Sequence, residues 1–438
     1  MVKDLSGNKK GSYKLGDSIF MQLLKNTLKR ILPKHAIQWL NRRRENVRYR
    51  SWRILWSIRE QAMPQKYRRD PYETSEIYWV NPEKIRYRTL KEFNYLRDHN
   101  RVVGGNWDMP LSLFEENDFF QAFSQRVKEN RLWSDTSYYK RYLSEILAGK
   151  VRWGCKNKEE WDQRFSMLDS IYHDIKTNGY HPQKIEDYIS VNIGRSGQLL
   201  FNDGRHRLTF CKLLEVPKIP VRITVRHSKW VMFKNEIFDY TKSRKGKVYA
   251  PLTHIDLQSV SSGYGHKRFE LIQKNITARD KGTLLDIGSH WGYFCHKFEE
   301  EGFHCYAVEK DFHNYYFLNK LKIAENRGFT TAHADITEIF EKSHYDVVLA
   351  LNVLHQFTKT AKSYGKLVKF LRRLKTIVMF FTPHQLSEAQ MQGAYRNYST
   401  QNFVTFLADN TGLTKYECIG YGNEGRPIYK LTGTDLSK

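Results

Sequence analysis

Residues 284–309, LLDIGSHWGYFCHKFEEEGFHCYAVE, predict a strand, a glycine turn, a helix and a second strand that ends in an acid. The apolar run that opens this stretch is typical of a buried parallel strand. Gly288 and Gly292 permit a tight turn and a close approach of the backbone to a ligand. Glu309 ends the second strand, and in a doubly wound sheet that position faces the ligand crevice.

The spacing of the glycines argues against two other kinds of phosphate-binding loop. The dinucleotide pattern Gly-x-Gly-x-x-Gly is missing, because three residues separate Gly288 from Gly292. The P-loop pattern is also missing, since no Gly-Lys-Ser/Thr follows the turn. The plain alternative is a βαβ unit that binds no ligand.

The pattern Asp-x-Gly-x-x-x-Gly at 286–292 resembles motif I of the class I S-adenosylmethionine (SAM) methyltransferases. The resemblance extends over residues 264–438 and implies an α/β fold, a Rossmann-like doubly wound sheet that binds SAM. It implies the following cofactor-binding residues: Asp286, Gly288, Gly292, Glu309, Asp335 and Asn352. Because the family places its active site after the fourth strand, His355 is the predicted catalytic residue. A sugar hydroxyl would need a general base, either His355 or His384.

A second motif lies in the middle of the chain, where strands are predicted at 189–193, 199–201 and 219–223. The segment Asp203-Gly204-Arg205-His206-Arg207 separates the last two strands and opens a helix. This arrangement resembles the ParB/sulfiredoxin-like fold, an α+β domain that would occupy 75–235 with a helical insertion. The arginine-rich box of ParB and a following helix-turn-helix are absent, which puts a plasmid-partition role in doubt.

The same resemblance implies a nucleotide or phosphate site at Gly204, Arg205, His206 and Arg207, since a helix N-terminus and cations bind phosphate. The segment is nearer to the kinases of this superfamily, so ATP with Mg is a further cofactor hypothesis. Asp203 and Asp108 are the candidate catalytic acids. The plain alternative is a simple turn whose Arg207 pairs with an internal carboxylate.

The net charge of +25 is concentrated near the beginning of the chain. Residues 1–70 hold 18 Lys/Arg against 5 Asp/Glu, and apolar residues recur there at helical spacing. A basic amphipathic extension fits an anionic membrane surface, nucleic acid or packing on its own domain. Residues 236–263, with a Lys/Arg-rich and a Ser/Gly-rich stretch, are predicted to form an inter-domain linker.

The five cysteines lack CxxC pairs, so neither a disulfide framework nor a metal site is predicted. No apolar run is long enough to span a bilayer, and the expected location is cytoplasmic, with peripheral binding at the inner membrane as an option. The motifs of DNA base methyltransferases are missing, which disfavours nucleic acid as the acceptor.

Taken together, these features predict a SAM-dependent methyltransferase fused to a ParB-like nucleotide-binding or kinase domain. The predicted acceptor is a cell-surface or lipid-linked glycan that is phosphorylated and then methylated. Two alternatives are a ParB-like DNA-binding protein with a methyltransferase domain, and a glycan O-methyltransferase whose middle domain only binds substrate.

Overall fold

The computed structural model describes residues 77–89, 91–184, 187–264, 266–277, 282–339, 344–422 and 425–433. The chain divides into two units, 1–68 and 69–438, and all described residues lie in the second unit. The predicted basic extension, 1–70, therefore lies outside the described residues. Within the described residues, no helix is both long and apolar enough to cross a membrane.

The first sheet belongs to the middle of the chain. Its strands are β1 (Tyr78–Val80), β2 (Tyr87–Arg88), β3 (Arg101–Val103), β4 (Ser112–Leu113), β5 (Ile189–Ile193), β6 (Leu199–Asp203) and β7 (Ile219–His227). They are ordered β1-β7-β5-β6-β2-β4, and β3 also pairs with β7. All nine residues of β7 are buried, so this strand lies within the core along its whole length. The three strands predicted around the Asp203–Arg207 segment are confirmed.

Six α-helices of the described residues accompany this sheet. They are α1 (Tyr95–Asp98), α2 (Asp118–Lys128), α3 (Ser137–Leu147), α4 (Lys158–Asn178), α5 (Arg205–Leu213) and α6 (Ser228–Lys242). The predicted helical insertion is α2, α3 and α4, each of which begins at a side chain that accepts a backbone N–H: Asn117, Thr136 and Asn157. The three helices bury an aromatic core that includes Phe119, Phe123, Trp161 and Phe165.

The second sheet forms the C-terminal module. Its strands are β8 (Thr283–Ile287), β9 (His304–Glu309), β10 (Thr330–His333), β11 (His344–Leu351), β12 (Lys375–Thr382), β13 (Lys415–Tyr421) and β14 (Pro427–Thr432). Its helices are α7 (His266–Lys274), α8 (Tyr293–Glu300), α9 (Phe312–Ala324), α10 (Ala361–Arg373) and α11 (Thr400–Thr411).

The strand order is β10-β9-β8-β11-β12-β14-β13, and only the pairings of β14 are antiparallel. The chain order reverses between β8 and β11, so the carboxyl ends of these two strands open a crevice at a topological switch point. The predicted Rossmann-like doubly wound sheet is confirmed.

The predicted linker, 236–263, is wrong. Residues 236–242 are the last part of α6, and the following segment buries Val248, Leu252, Ile255 and Leu257. These residues join one hydrophobic core that also contains Phe317, Leu321 and Ala324 of α9. The prediction failed because the polar stretches at the two ends of the segment outweighed its apolar middle. The two modules share a core and are not joined by a flexible linker.

Candidate functional site

The glycine turn follows β8 at the switch point. Gly288 and Gly292 both adopt the left-handed region, with φ of 67° and 80°. The N–H groups of Gly288 and Ser289 both donate to the carbonyl of Val308, which holds the turn against β9. A Cβ on Gly288 would lie 2.7 Å from Val353 Cγ2, so only glycine lets the loop after β11 approach.

Two carboxylates lie below and beside this turn. Glu309, at the end of β9, accepts 2.8 Å hydrogen bonds from the N–H groups of His290 and Asp311. Burial raises the pKa of Glu309, and the backbone hydrogen bonds oppose that rise. Asp286 is buried at the end of β8, where burial and the neighbouring charge of Glu309 raise its pKa to about 7. The two carboxylates are therefore close enough for the charge of one to disfavour the charge of the other.

A cleft of about 600 Å³ opens at the carboxyl ends of β8, β9 and β10. Of the six predicted cofactor residues, Gly288, Glu309 and Asp335 line it. Burial alone would raise the pKa of Asp335, but hydrogen bonds from Lys310 and Thr337 outweigh burial and lower it. Asp286, Gly292 and Asn352 are not among the residues that line the cleft, although Asp286 and Gly292 support the turn from below.

These residues fit SAM. The cleft volume lies in the range of small-molecule sites, and its lining includes the carboxylates of Glu309, Asp311 and Asp335, which suit a ribose diol and a sulfonium cation. The turn also carries two buried polar atoms without a hydrogen-bond partner, Ser289 Oγ and His290 Nδ1. Buried polar atoms of this kind are normally satisfied, and both residues adjoin Gly288, which lines the cleft.

Asn352 follows β11 in the left-handed region, with φ of 64°, a conformation that asparagine tolerates better than most residues. Its Oδ1 accepts a hydrogen bond from Arg426, whose other terminal nitrogen lies 2.8 Å from Glu388 Oε1. The Asn352 side chain is thus hydrogen-bonded to Arg426, the residue that precedes strand β14. Its predicted contact with the cofactor stays a prediction.

Two buried histidines meet beyond the ends of β11 and β12. The rings of His355 and His384 lie 5.3 Å apart. His355 Nε2 is 2.7 Å from Gln356 Nε2, and His384 Nε2 is 2.8 Å from Asn397 Oδ1. Both Nδ1 atoms are buried without a hydrogen-bond partner. Burial lowers the pKa of His355 to about 4, and His384 acts in the same direction, so His355 is neutral at physiological pH.

The predicted phosphate site at the start of α5 has a different arrangement from the one expected. Arg205 Nη1 lies 4.0 Å from Asp118 Oδ1, and Arg207 Nη1 lies 3.8 Å from Asp187 Oδ1. The Arg207 pair is the internal pairing named above as the plain alternative. Gly204 is the N-cap, and its N–H donates to Asp203 Oδ1, whose residue is exposed.

The prediction that His206 binds phosphate stays a prediction, and the structure places this half-buried side chain against the helical insertion. Its ring packs edge-on against Phe119 at 4.3 Å, inside the aromatic core of the insertion. Burial, together with the neighbouring arginines, lowers the pKa of His206 to about 3. A neutral, packed imidazole is not a cation for phosphate, and the helical insertion supplies the ring that buries it.

Asp108 is also not placed as a catalytic acid. Its carboxylate accepts hydrogen bonds from the Arg195 side chain at 2.6 and 3.0 Å and from the Arg195 N–H at 2.7 Å. Burial alone would raise the pKa of Asp108, but Arg195 outweighs burial and keeps it ionised. The pair anchors the turn between β5 and β6, whereas Asp203 lies at the opposite end of β6.

Sequence reasoning missed the aromatic residues that reach the glycine turn from the supposed linker. Tyr240 OH lies 3.4 Å from His290 Nε2, and the Tyr249 ring packs 5.2 Å from the His290 ring. The other missed residues line the cleft and include Lys310, Asp311, Phe312, Ile336 and Gln356. The available signal was that four of them closely follow Glu309 or Asp335 and that Gln356 follows His355.

Residues 264–404 match a family model whose description is a methyltransferase domain. The chain therefore carries a methyltransferase domain, and this family implies SAM as the methyl donor. A search of the curated proteins found no match.

Among solved structures, monomeric WbdD is similar at 16% identity and a TM-score of 0.36, covering 44% of this chain and 48% of that chain. The PH0226 protein from Pyrococcus horikoshii OT3 has 16% identity and a TM-score of 0.31, covering 38% of this chain and 90% of that chain. The N-methyltransferase NodS from Bradyrhizobium japonicum WM9 has 12% identity and a TM-score of 0.32, covering 39% and 96%. The chain spans about half the length of the WbdD structure that it matches.

Proposed function

We propose that this chain methylates an anionic oxygen of a glycan acceptor, using SAM, and that this oxygen belongs to a phosphate added in a preceding step. The observation that carries the proposal is the pair of buried histidines beside the switch point, of which His355 has a pKa of about 4. The cleft supports SAM as the methyl donor, and the histidines support an anionic oxygen as the methyl acceptor.

The cleft residues have distinct tasks in this proposal. Glu309, at the end of β9, would hold the ribose hydroxyls, and Asp335 with the adjoining Ile336 would border the adenine. SAM, when bound, supplies an electrophilic methyl group on a positively charged sulfur. The carboxylates around the turn give the site a negative potential that favours this cation over its neutral product.

The low pKa of His355 bears on the nature of the acceptor. A sugar hydroxyl must lose its proton during methyl transfer, and an efficient general base has a pKa close to the working pH. His355 falls well below that range, because the fold buries it beside a second histidine. A phosphate oxygen is already anionic and needs only to be positioned. A neutral imidazole can do this by donating a hydrogen bond from the otherwise unpartnered Nδ1.

The middle module, in this proposal, helps to form the acceptor side of the site. Tyr240 of α6 and Tyr249 approach the glycine turn at His290, and the two modules share one core. The ParB/sulfiredoxin-like assignment and an ATP- and Mg-dependent kinase at Asp203 remain proposals that rest on the sequence segment 203–207. Arg205 and Arg207 lie near carboxylates, and the half-buried His206 ring packs on Phe119, so these side chains would have to rearrange to bind phosphate.

The test is transfer of labelled methyl groups from SAM to matched glycans with and without a terminal phosphate. We expect methylation of the phosphorylated glycan without ATP, and methylation of the plain glycan only if ATP and Mg allow the chain to phosphorylate it first. Loss of the ATP-dependent reaction in Asp203→Ala would support the kinase, while a reaction that ignores this change would leave the middle module as a binder.

Two variants of His355 test its role as a hydrogen-bond donor to the acceptor. His355→Ala should lower kcat on the phosphorylated glycan, and His355→Asn, which keeps a donor, should retain more of it. His304→Ala is the control, because His304 is exposed at the opposite end of the sheet. Efficient methylation of an unphosphorylated glycan without ATP would refute the anionic acceptor and favour a hydroxyl with His384 as the base.

A further inference from the structure

We infer that residues 147–156, here called the apolar tip, insert into the surface of an anionic lipid bilayer. The tip follows α3 in the helical insertion of the middle module and takes no part in the methyltransferase site. This inference is independent of the basic extension 1–70, for which membrane binding was predicted from sequence alone.

The tip holds three large apolar side chains out toward solvent. Leu147, Val151 and Trp153 are 68%, 58% and 41% exposed. They fall within seven consecutive residues, whereas single exposed apolar residues elsewhere on a protein surface need no explanation. An outward-facing group of this kind indicates a surface that is covered when the protein acts.

The shape of the tip is fixed by hydrogen bonds. After α3 the Lys150 N–H donates to the Glu145 carbonyl at 3.0 Å, which turns the chain back on the helix. Arg152 and Cys155 then exchange two backbone hydrogen bonds, at 3.1 and 2.8 Å, and enclose a two-residue turn. Trp153 and Gly154, the central residues of this turn, both have positive φ, 47° and 87°.

A tryptophan is an unusual choice at that position. Turns with positive φ at both central residues favour Asn-Gly or Gly-Gly, and a bulky side chain is disfavoured there. Packing compensates, since the Trp153 ring lies 4.7 Å from Tyr142 and is nearly parallel to Trp161 at 5.8 Å. The ring therefore packs with one side on the aromatic core and stays 41% exposed at the apex of the turn.

Cations surround these apolar side chains. Residues 140–156 carry five Lys or Arg and a single carboxylate, Glu145. Arg152 Nε pairs with Glu145 Oε2 at 2.6 Å, and Lys150 Nζ lies 3.9 Å from the same oxygen. Arg141 Nη1 lies 3.8 Å from Asp118 Oδ2. Within the described part of the chain, no carboxylate forms an ion pair with Lys140 or Lys156. The excess of positive charge is complementary to anionic lipid headgroups.

A bilayer matches this combination better than the other occupants. A stable protein interface needs about 800 Å² on each partner, which three side chains do not provide. A sugar ring would stack on Trp153 but gives no role to the aliphatic Leu147 and Val151. Aliphatic side chains with one tryptophan and a ring of Lys and Arg are the composition of segments that lie at the membrane interface.

The test reports on the tip itself and uses the full chain. Cys418 is the exposed cysteine and the other four are buried, so Cys418→Ser gives a background for labelling. An environment-sensitive fluorophore is attached at Val151→Cys. The matched control carries it at Met232→Cys, which is 63% exposed on α6 of the same module. Vesicles contain phosphatidylcholine with or without phosphatidylglycerol.

We expect a blue shift at position 151 with phosphatidylglycerol vesicles, no shift at position 232, and reversal by added salt. Leu147→Glu/Val151→Glu should weaken vesicle binding roughly tenfold or more, with an unchanged Tm because both sites are exposed. Vesicle binding by the chain without a shift at 151 would overturn the inference, as would no vesicle binding. A shift at 151 produced by soluble glycan but not by vesicles would assign the tip to sugar.

Discussion

The raised pKa of Asp286 makes a prediction about stability as well as about the cofactor. The carboxyl group is 3% exposed at the end of β8, and its pKa is about 7 instead of 3.8. The unfolded chain therefore loses this proton more readily than the folded chain. The contribution of Asp286 therefore lowers the free energy of unfolding progressively as pH rises from about 4 to about 7. Above pH 7 this loss of stability is constant. Asp286→Asn removes the charge and keeps the shape, so it should stabilise the fold at neutral pH.

The magnitude follows from the shift. Each pKa unit corresponds to about 1.4 kcal/mol, so a rise of roughly three units bounds the gain at about 4 kcal/mol. Relaxation around the charge reduces this figure, and we expect ~2–4 kcal/mol at pH 8. At about 2 °C per kcal/mol, the Tm should rise by roughly 4–8 °C.

Thermal unfolding between pH 5 and pH 8 measures this effect. The Tm advantage of Asp286→Asn should grow with pH and level off near pH 7. Asp335→Asn is the control with the opposite sign, because hydrogen bonds from Lys310 and Thr337 lower the pKa of Asp335 and make its charged form favourable. SAM affinity should fall in the Asp286 variant, since stability and function oppose each other at such sites. A Tm advantage that is absent at pH 8, or that shrinks as pH rises, would refute the reasoning.

Three further predictions concern the cleft and the junction between the modules. Glu309→Gln should weaken SAM binding by about 10–100-fold in calorimetry, because one charged acceptor is lost; unchanged affinity would contradict the ribose assignment. Gly288→Ala should lower the Tm and SAM affinity together, through its positive φ and the contact with Val353, and Val353→Ala should restore part of both. Glu325 follows α9, and its carboxylate lies 3.3 Å from Lys84 Nζ and 3.5 Å from Arg327 Nη2. Glu325→Ala should cost ~1–3 kcal/mol in urea unfolding at pH 7, because both cations lose a charged partner. Burial alone would raise the pKa of Glu325, but its cations lower it to about 2, so its contribution should disappear as pH falls from about 4.5 to 2.

The sequence was sufficient for the parts of the fold that local patterns specify. The apolar strands around the glycine turn and around segment 203–207 are short, continuous and bounded by turn residues, and they are found where predicted. The supposed linker shows the limit of the same reasoning. Its polar ends suggested a tether, but the apolar side chains between residues 248 and 260 are buried in a core that includes residues of α9, which composition alone does not reveal.

Some residues of the candidate site could be assigned from sequence, and others could be assigned only from the structure. Glu309 and Asp335 could be assigned from sequence, because a strand end in a doubly wound sheet fixes the direction in which it faces. The meeting of His355 and His384 could not, because the two residues follow different strands and only the sheet order makes them neighbours. Asp118 and Asp187 likewise reach the arginines of α5 only through the helical insertion and the approach to β5.

The sequence by itself determined the class of the C-terminal module and the residues of its glycine turn, because backbone preferences and strand order are encoded locally. Only the tertiary structure decided which charged side chains face the cleft or solvent and which form ion pairs. It placed carboxylates 4.0 and 3.8 Å from Arg205 and Arg207, lowered the pKa of His355 by burial, and brought the supposed linker to the glycine turn. The physical reason is that burial and charge pairing depend on distances between residues far apart in the chain.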